Sequence, residues 1–364
     1  MSSGNLPAPS RLMTLFLALG CLLMTGWLLV LGRDVILPVL TAVLVVYIMV
    51  ACVRWMRGRP GLGWLPDWIL HVVVLGVFVV LITSLGSVVA LALEQLVDRA
   101  PAYQQNLAGL VAQVAAAVGA EADTSLQDLW QDVAGQIDLA ELARGLLASV
   151  AAFGGTLFIV VVYAGFLLGE WTRFPRKVAA AFPGDGQAAR IGQIAGEINR
   201  KVGRYLAVKT GVNVVLGCLS YAVLWSFEVD FAPFWAIVIG LLNYIPYVGS
   251  YIGVTLPVLL SVAQFGSLLQ TLALAAALTV MQVFVGNYLE PRWIGRELNL
   301  SPFMVILSLS VWSALWGVPG AILAVPMTSV LVIVLAAFDG TRPFAVLVAD
   351  VPAETARQAD RARR

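Results

Sequence analysis

Charge is what this chain most lacks: 12% of its 364 residues are Asp, Glu, Lys or Arg, while 60% are hydrophobic. Soluble globular proteins carry about 25% charged residues, so composition excludes a water-soluble domain. The mean hydropathy of +0.90 points the same way, to an integral membrane protein. Net charge is +1, from 22 Lys+Arg against 21 Asp+Glu, so no global field draws the chain to nucleic acid. Histidine occurs once, at His71 near the start of an apolar run, which rules out the His-Glu-x-x-His pair of a zinc protease. Three cysteines, Cys21, Cys52 and Cys218, lie far apart in apolar runs. Their odd number and spacing exclude a disulfide framework and a Cys-based zinc site, and they read as small buried hydrophobes. No metal and no cofactor is expected. No G-x-x-x-x-G-K-[ST] loop occurs, so the chain does not hydrolyse ATP by that route. No charged residue falls at the centre of a clear apolar run, so an intramembrane aspartyl enzyme has no carboxylate pair. A Ser–His pair through His71 has nothing to orient it, and the chain is not expected to be an enzyme.

What is abundant is long apolar sequence. A helix needs about 20 apolar residues to cross the hydrocarbon core. Clear candidates are Leu12–Leu31, Val35–Val53, Trp68–Leu93, Leu146–Gly169, Thr210–Phe227 and Leu268–Leu289. The first exceeds the about 7–15 residues of a signal-peptide core and is followed at once by a second run, so it reads as a membrane helix that stays. Two further regions, Phe231–Gln264 and Pro302–Phe338, are apolar but interrupted by Pro and Gly.

Loop charges set sidedness. Arg54, Arg57 and Arg59 place the second connection inside, as do Arg357, Arg361, Arg363 and Arg364 the tail. Segment 94–150 carries eight acidic residues against Arg99 and Arg144, and lies outside; 170–209 carries eight basic against three acidic, and lies inside. Both termini are then cytoplasmic. Tyr103, Leu107, Leu110, Val114 and Val118, then Leu126, Leu129, Trp130 and Val133, have helical spacing and suggest a small external helical subdomain. Ile191, Ile194, Ile198, Val202 and Tyr205 form an apolar stripe on a basic helix that either lies in the membrane interface or docks under the bundle. The expected organisation is three spans over 1–93, the external subdomain over 94–148, a fourth span over 149–169, the basic amphipathic segment over 170–209, a transport core over 210–338 and a cytoplasmic tail over 339–364.

The core contains a repeat. Pro233-Phe234 and Pro257 recur 69 positions later as Pro302-Phe303 and Pro326, with the same separation of 24. Each pair brackets a Gly/Pro break, Asn243-Tyr244-Ile245-Pro246-Tyr247-Val248-Gly249 in the first and Trp316-Gly317-Val318-Pro319-Gly320 in the second. Each unit follows a clear span. Broken backbone at membrane depth survives only where it lines a cavity or is buried in protein. Each unit is either a re-entrant hairpin or a pair of full spans, since both give the same loop parity. By the loop charges the units enter from opposite sides, which makes an inverted repeat, the arrangement that places a transporter's solute site at the midplane.

The break residues Asn243 to Gly249 resemble a signature of the autoinducer-2 exporter family of bacterial membrane proteins. So do Leu289-Glu290-Pro291-Arg292, continuing through Gly295 and Leu298 to Leu300-Ser301-Pro302, and then Gly317, Gly320 and Ala324-Val325-Pro326. The layout of spans and loops is similar over nearly the whole chain, and Pro319 departs from the apolar residue the pattern has there. The resemblance implies a multi-pass transporter of the bacterial cytoplasmic membrane, with about eight helical spans of the usual length and a homo-oligomeric state. The family takes its name from export of a signalling furanone, and other members are associated with sodium/proton antiport.

The candidate solute path follows from polar residues at membrane depth. Asn243, in the first break, and Gln282, mid-span between the repeats, offer amides, and Asn287 lies further along; Asn213, Ser220 and Thr279 are further polar groups, the last two equally suited to helix packing. Tyr244, Pro246, Tyr247 and Gly249 shape the first break, Gly317 and Gly320 the second. Glu290 and Arg292, between the last clear span and the second unit, are the candidates for a coupling ion, Na+ or H+, or else form an interfacial ion pair or cap. The expected protein is an all-α polytopic secondary transporter exporting a small polar organic solute. A sodium/proton antiporter and a non-transporting scaffold subunit are the alternatives.

Overall fold

The computed structural model describes residues 11–58, 64–118, 139–171, 173–183, 186–294 and 300–348. Its elements are helices: α1 (Arg11–Leu31), α2 (Arg33–Arg57), α3 (Asp67–Val118), α4 (Leu139–Trp171), α5 (Phe174–Ala181), α6 (Gln187–Ser226), α7 (Ala232–Leu242), α8 (Val248–Phe265), α9 (Leu268–Phe284), α10 (Glu290–Ile294), α11 (Pro302–Ala336) and α12 (Arg342–Val348). A π-helical turn, Val285–Leu289, joins α9 to α10. Helices satisfy their own backbone groups, which a bilayer cannot do for them, and this is why apolar runs of this length fold so.

Seven helical stretches among the described residues are long and apolar enough to cross a membrane: Arg33–Arg57, Trp68–Leu96, Gly154–Trp171, Gln187–Ser226, Val248–Phe265, Leu268–Trp293 and Pro302–Ala337. Leu19–Leu31 of α1 and α7 are apolar but shorter. The second expected external helix (Leu126–Val133), Gly295, Leu298 and the tail beyond Val348 lie outside the described residues. The first expected one is no separate helix, because α3 continues without interruption past Leu96 and takes Pro101 within it. Cys21, Cys52 and Cys218 are exposed on the helix surfaces rather than buried among them. In a bilayer the surroundings are as apolar as a protein core, so a small apolar side chain need not face protein to leave water.

Three apolar clusters hold the helices together. Ala42, Val45, Val46 and Met49 of α2 meet Val160 and Ala164 of α4, with Val74, Leu75 and Phe78 of α3 against them. Val212, Leu216 and Leu224 of α6 pack with Ala236 and Ile239 of α7 and Leu274 and Leu278 of α9. Tyr47 of α2, Val202, Tyr205 and Leu206 of α6 and Val325 of α11 form the third, which ties the N-terminal helices to the second repeat unit. From Ile198 onward, then, the apolar stripe docks against the bundle. The same helix runs on unbroken through Thr210 to Ser226, 40 residues or about 60 Å at about 1.5 Å per residue.

The extension of α3 is pinned to the first repeat unit. Arg99 pairs with Asp230 at 2.5 Å, and the Tyr103 hydroxyl donates to the other Asp230 oxygen at 2.7 Å. Asn106 Nδ2 donates to the Gln264 carbonyl at 2.7 Å, while the Gln264 side chain bridges the Asp230 amide and the Glu228 carbonyl. Burial, then the bond to Asp230 and its charge, push the Tyr103 hydroxyl above the ordinary phenol range, so the donor persists to strongly alkaline pH. Asp230→Ala removes both charge-assisted bonds and leaves the Tyr103 hydroxyl without its acceptor. A loss of about 1–3 kcal/mol is expected, read as a lower thermal midpoint in detergent and faster amide exchange over 98–106. Unchanged exchange there would mean that Asn106 and Gln264 suffice to hold the extension.

Candidate transport site

The first break is built from backbone outward. α7 ends at Leu242 with Asn243 as its cap, whose backbone N–H still donates to the Ile239 carbonyl, and the chain turns back through bonds from Tyr244 to Leu241 and from Ile245 to Leu242. Tyr247 then takes φ 61°, ψ −62°, with Val248 N bonded to the Pro246 carbonyl at 2.7 Å. This is a three-residue γ-turn of the rare, strained hand, with a cost of about 1–3 kcal/mol for a non-glycine residue. α8 starts at once, and Gly249 lies so close to α7 that a Cβ would stand 1.8 Å from the Leu242 carbonyl oxygen. The second break uses another geometry for the same end. Gly317, at φ 64° and ψ −141°, interrupts α11, and a Cβ on Gly320 would stand 1.9 Å from the Trp312 carbonyl oxygen.

Beside the first break lies a cavity of about 750 Å³, within the usual size of a small-molecule site. Its walls come from α6 (Tyr205, Lys209), the break (Asn243, Pro246, Tyr247), α8 (Ser250), α9 (Thr279, Gln282) and the π-turn with α10 (Asn287, Glu290); Val305 and Val325 of the second unit close it. Asn243 donates to Asn213 Oδ1 at 2.8 Å and accepts from Gln282 Nε2 at 3.1 Å and Ser250 Oγ at 3.3 Å; Gln282 Nε2 also reaches Ser250 Oγ at 2.9 Å. Asn213, Asn243 and Gln282 are each less than a tenth exposed. Even so, Gln282 Oε1 has no hydrogen-bond partner among the described residues, and Asn213 Nδ2 has only the Tyr244 hydroxyl nearby. A buried network with unmet pairing capacity is uncommon in native proteins and leaves room for a further partner, a water or a bound solute.

The sequence candidates therefore divide. Asn243, Pro246, Tyr247, Gln282, Asn287 and Glu290 share the cavity wall. Tyr244 does not: its hydroxyl meets Thr210 Oγ1 at 2.7 Å, and since Thr210 donates to Leu206, Tyr244 is the donor that fastens the break to α6. Gly249, Gly317 and Gly320 shape backbone. Arg292 stands over the Tyr288 ring at 3.8 Å.

Lys209 is the residue the charge count missed. Counted with the basic segment, it is buried on the cavity wall and bonds Glu290 Oε1 at 2.5 Å. The signal was present: Tyr205 closes the apolar stripe of α6, and Lys209 stands four residues on, on the same face. Ser250 was missed as well, a small hydroxyl beside an expected break. The π-turn explains how Glu290 reaches the wall: one wide turn rotates the helix beyond it, and such turns concentrate at functional sites.

A family model described as AI-2E family transporter matches residues 15–340. The chain belongs to the AI-2E transporter family. Among its relatives, AI-2 transport protein TqsA of Escherichia coli (strain K12) is 29% identical over 89% of this chain and 92% of its own. The candidate transport protein YhhT of the same organism is 26% identical over 87% and 88%. YrrI of Bacillus subtilis (strain 168), also a candidate transport protein, is 23% identical over 86% and 88%. AI-2E membership and the apolar helices together make this a multi-pass transport protein of the bacterial cell membrane, working on a small solute.

Proposed function

We propose that this AI-2E family transporter is a secondary exporter of a small polar organic solute, bound in the cavity beside the first break. The observation that carries the reading is the convergence of Asn243, Ser250, Gln282 and Asn287 on one wall, where spare pairing capacity is buried next to a broken helix. In this reading the two units are re-entrant hairpins in inverted repeat, both termini are cytoplasmic, and several copies assemble. Alternating access is movement of the hairpins against the rest. The name of TqsA makes AI-2 the first solute to try.

The test is efflux from cells expressing the chain, with AI-2 and the wider set of polar solutes in the medium followed by mass spectrometry. Asn243→Ala and Gln282→Ala are each expected to lower efflux about tenfold at equal expression, the loss of one to two hydrogen bonds at about 1 kcal/mol each. Wild-type efflux in both removes the two amides from the path. Glu290 on the cavity wall favours a second reading, sodium/proton antiport. Sealed liposomes with an internal pH dye and a sodium gradient separate the two: sodium-dependent proton movement puts the antiporter first, and a flat trace leaves solute export.

A further inference from the structure

We infer that Lys209 is an anion-binding group and that the solute is a small hydroxylated organic anion, such as a hydroxycarboxylate, whose negative group takes the place of the Glu290 carboxylate. The inference rests on the solute-path reading above and narrows its chemical class. The two partners of the pair are not equivalent. The Lys209 side chain is 5% exposed and stands in the middle of α6, which is packed by α2 and α7 on its sides. The Glu290 side chain is 23% exposed, on the cavity side, and is carried by a five-residue helix that follows a π-turn. The ammonium is therefore the fixed partner and the carboxylate the movable one.

An ammonium at this depth cannot be left alone, because an unpaired buried charge costs several kcal/mol. Any rearrangement that draws Glu290 away needs a replacement anion. The same cavity is lined by neutral hydrogen-bonding groups: the hydroxyls of Tyr205, Ser250 and Thr279 and the amides of Asn243, Gln282 and Asn287. A carboxylate on Lys209 with hydroxyls toward these groups satisfies the charge and the spare acceptor of Gln282 together. Glu290 then acts as a tethered stand-in that holds the site neutral when it holds no solute.

The decisive comparison is the thermal midpoint of purified protein titrated with sodium glycolate, lactate and gluconate, against sodium chloride and glycerol at matched ionic strength and osmolarity. The carboxylates are expected to raise the midpoint saturably in the wild type, with no saturable shift from chloride or glycerol. E290Q, which keeps an acceptor for Lys209 but removes the competing charge, is expected to reach half-saturation at about tenfold lower carboxylate, the equivalent of one lost ionic competitor of about 1.4 kcal/mol. E290D, which keeps charge but shortens reach, gives a gain of a few-fold and serves if E290Q does not fold. Equal titrations in wild type and both variants overturn the inference, as does the lack of any saturable carboxylate shift in a folded E290Q. Stabilisation by glycerol equal to that by gluconate overturns the anion and leaves the solute path standing. Wild-type efflux in both Asn243→Ala and Gln282→Ala, with the E290Q gain intact, removes the amides from the path and leaves the anion site at Lys209 standing.

Discussion

Gly249→Ala is expected to prevent the first repeat unit from closing. The added Cβ would stand 1.8 Å from the Leu242 carbonyl oxygen and 2.5 Å from its carbon. Both are backbone atoms at the end of α7, so no side-chain rotation relieves the overlap, and α7 and α8 must part by an ångström or more. Parting them breaks the contacts of Ile239 with Gly253 and pulls Ser250 away from Asn243 and Gln282. Overpacking of a close-packed interior costs about 1–3 kcal/mol, occasionally more, and this overlap belongs at the upper end. Gly320→Ala, 1.9 Å from the Trp312 carbonyl oxygen, should behave alike. The control is Gly76→Ala: nothing lies within 4 Å, and a helix-interior Gly→Ala change gains up to about 1 kcal/mol. Yield of monodisperse protein and the thermal midpoint in detergent check all three. A normal midpoint for Gly249→Ala would mean that α7 and α8 part easily.

The second large effect is the removal of one partner from the buried ion pair. Glu290→Ala leaves the Lys209 ammonium buried with its carboxylate gone, and a cost of about 3–5 kcal/mol is expected. Replacing both partners, Lys209→Met with Glu290→Leu, is expected to return the midpoint to the wild-type value or above it, since apolar pairs of similar size often match or exceed buried ion pairs. The double variant should be stable and inactive in transport. If Glu290→Ala costs less than about 1 kcal/mol, the pair behaves as a water-exposed one. Lys209 would then be reached by solvent from the cavity.

Much of this architecture is legible in the residues because the bilayer admits few solutions. Apolar runs of span length become helices, and the breaks expected between Pro233 and Pro257 and between Pro302 and Pro326 fall at Tyr247 and Gly317. Asn243 and Gln282 stand out as amides in apolar surroundings, and they meet on one wall. What stayed hidden was long-range or backbone in nature. Lys209 and Glu290 are separated by 81 positions, and loop counting credits every Lys at a span end to the loop. Tyr244 looks like its neighbour Tyr247, but one donates to Thr210 on α6 and the other lines the cavity, a difference set by the turn between them. The close approaches at Gly249 and Gly320 leave no trace in composition, since most other glycines among the described residues have open space about them or ordinary contacts.

The unbroken course of α6 decides where the molecule can bend. A single helix from Gln187 to Ser226 is a strut: it carries Arg190, bonded to the Ala337 carbonyl, near one end and Lys209 and Asn213 along its length. A strut transmits torque and has no pivot of its own. Among the described residues, helical dihedrals are interrupted by positive φ at Gly186, at Glu228 and Phe231, at Tyr247, at Gly266 and at Gly317, and these are the natural places for a pivot. In the alternating access proposed above, Lys209 and Asn213 would stay with this strut, and the break carrying Asn243 would swing against them like a gate against its post.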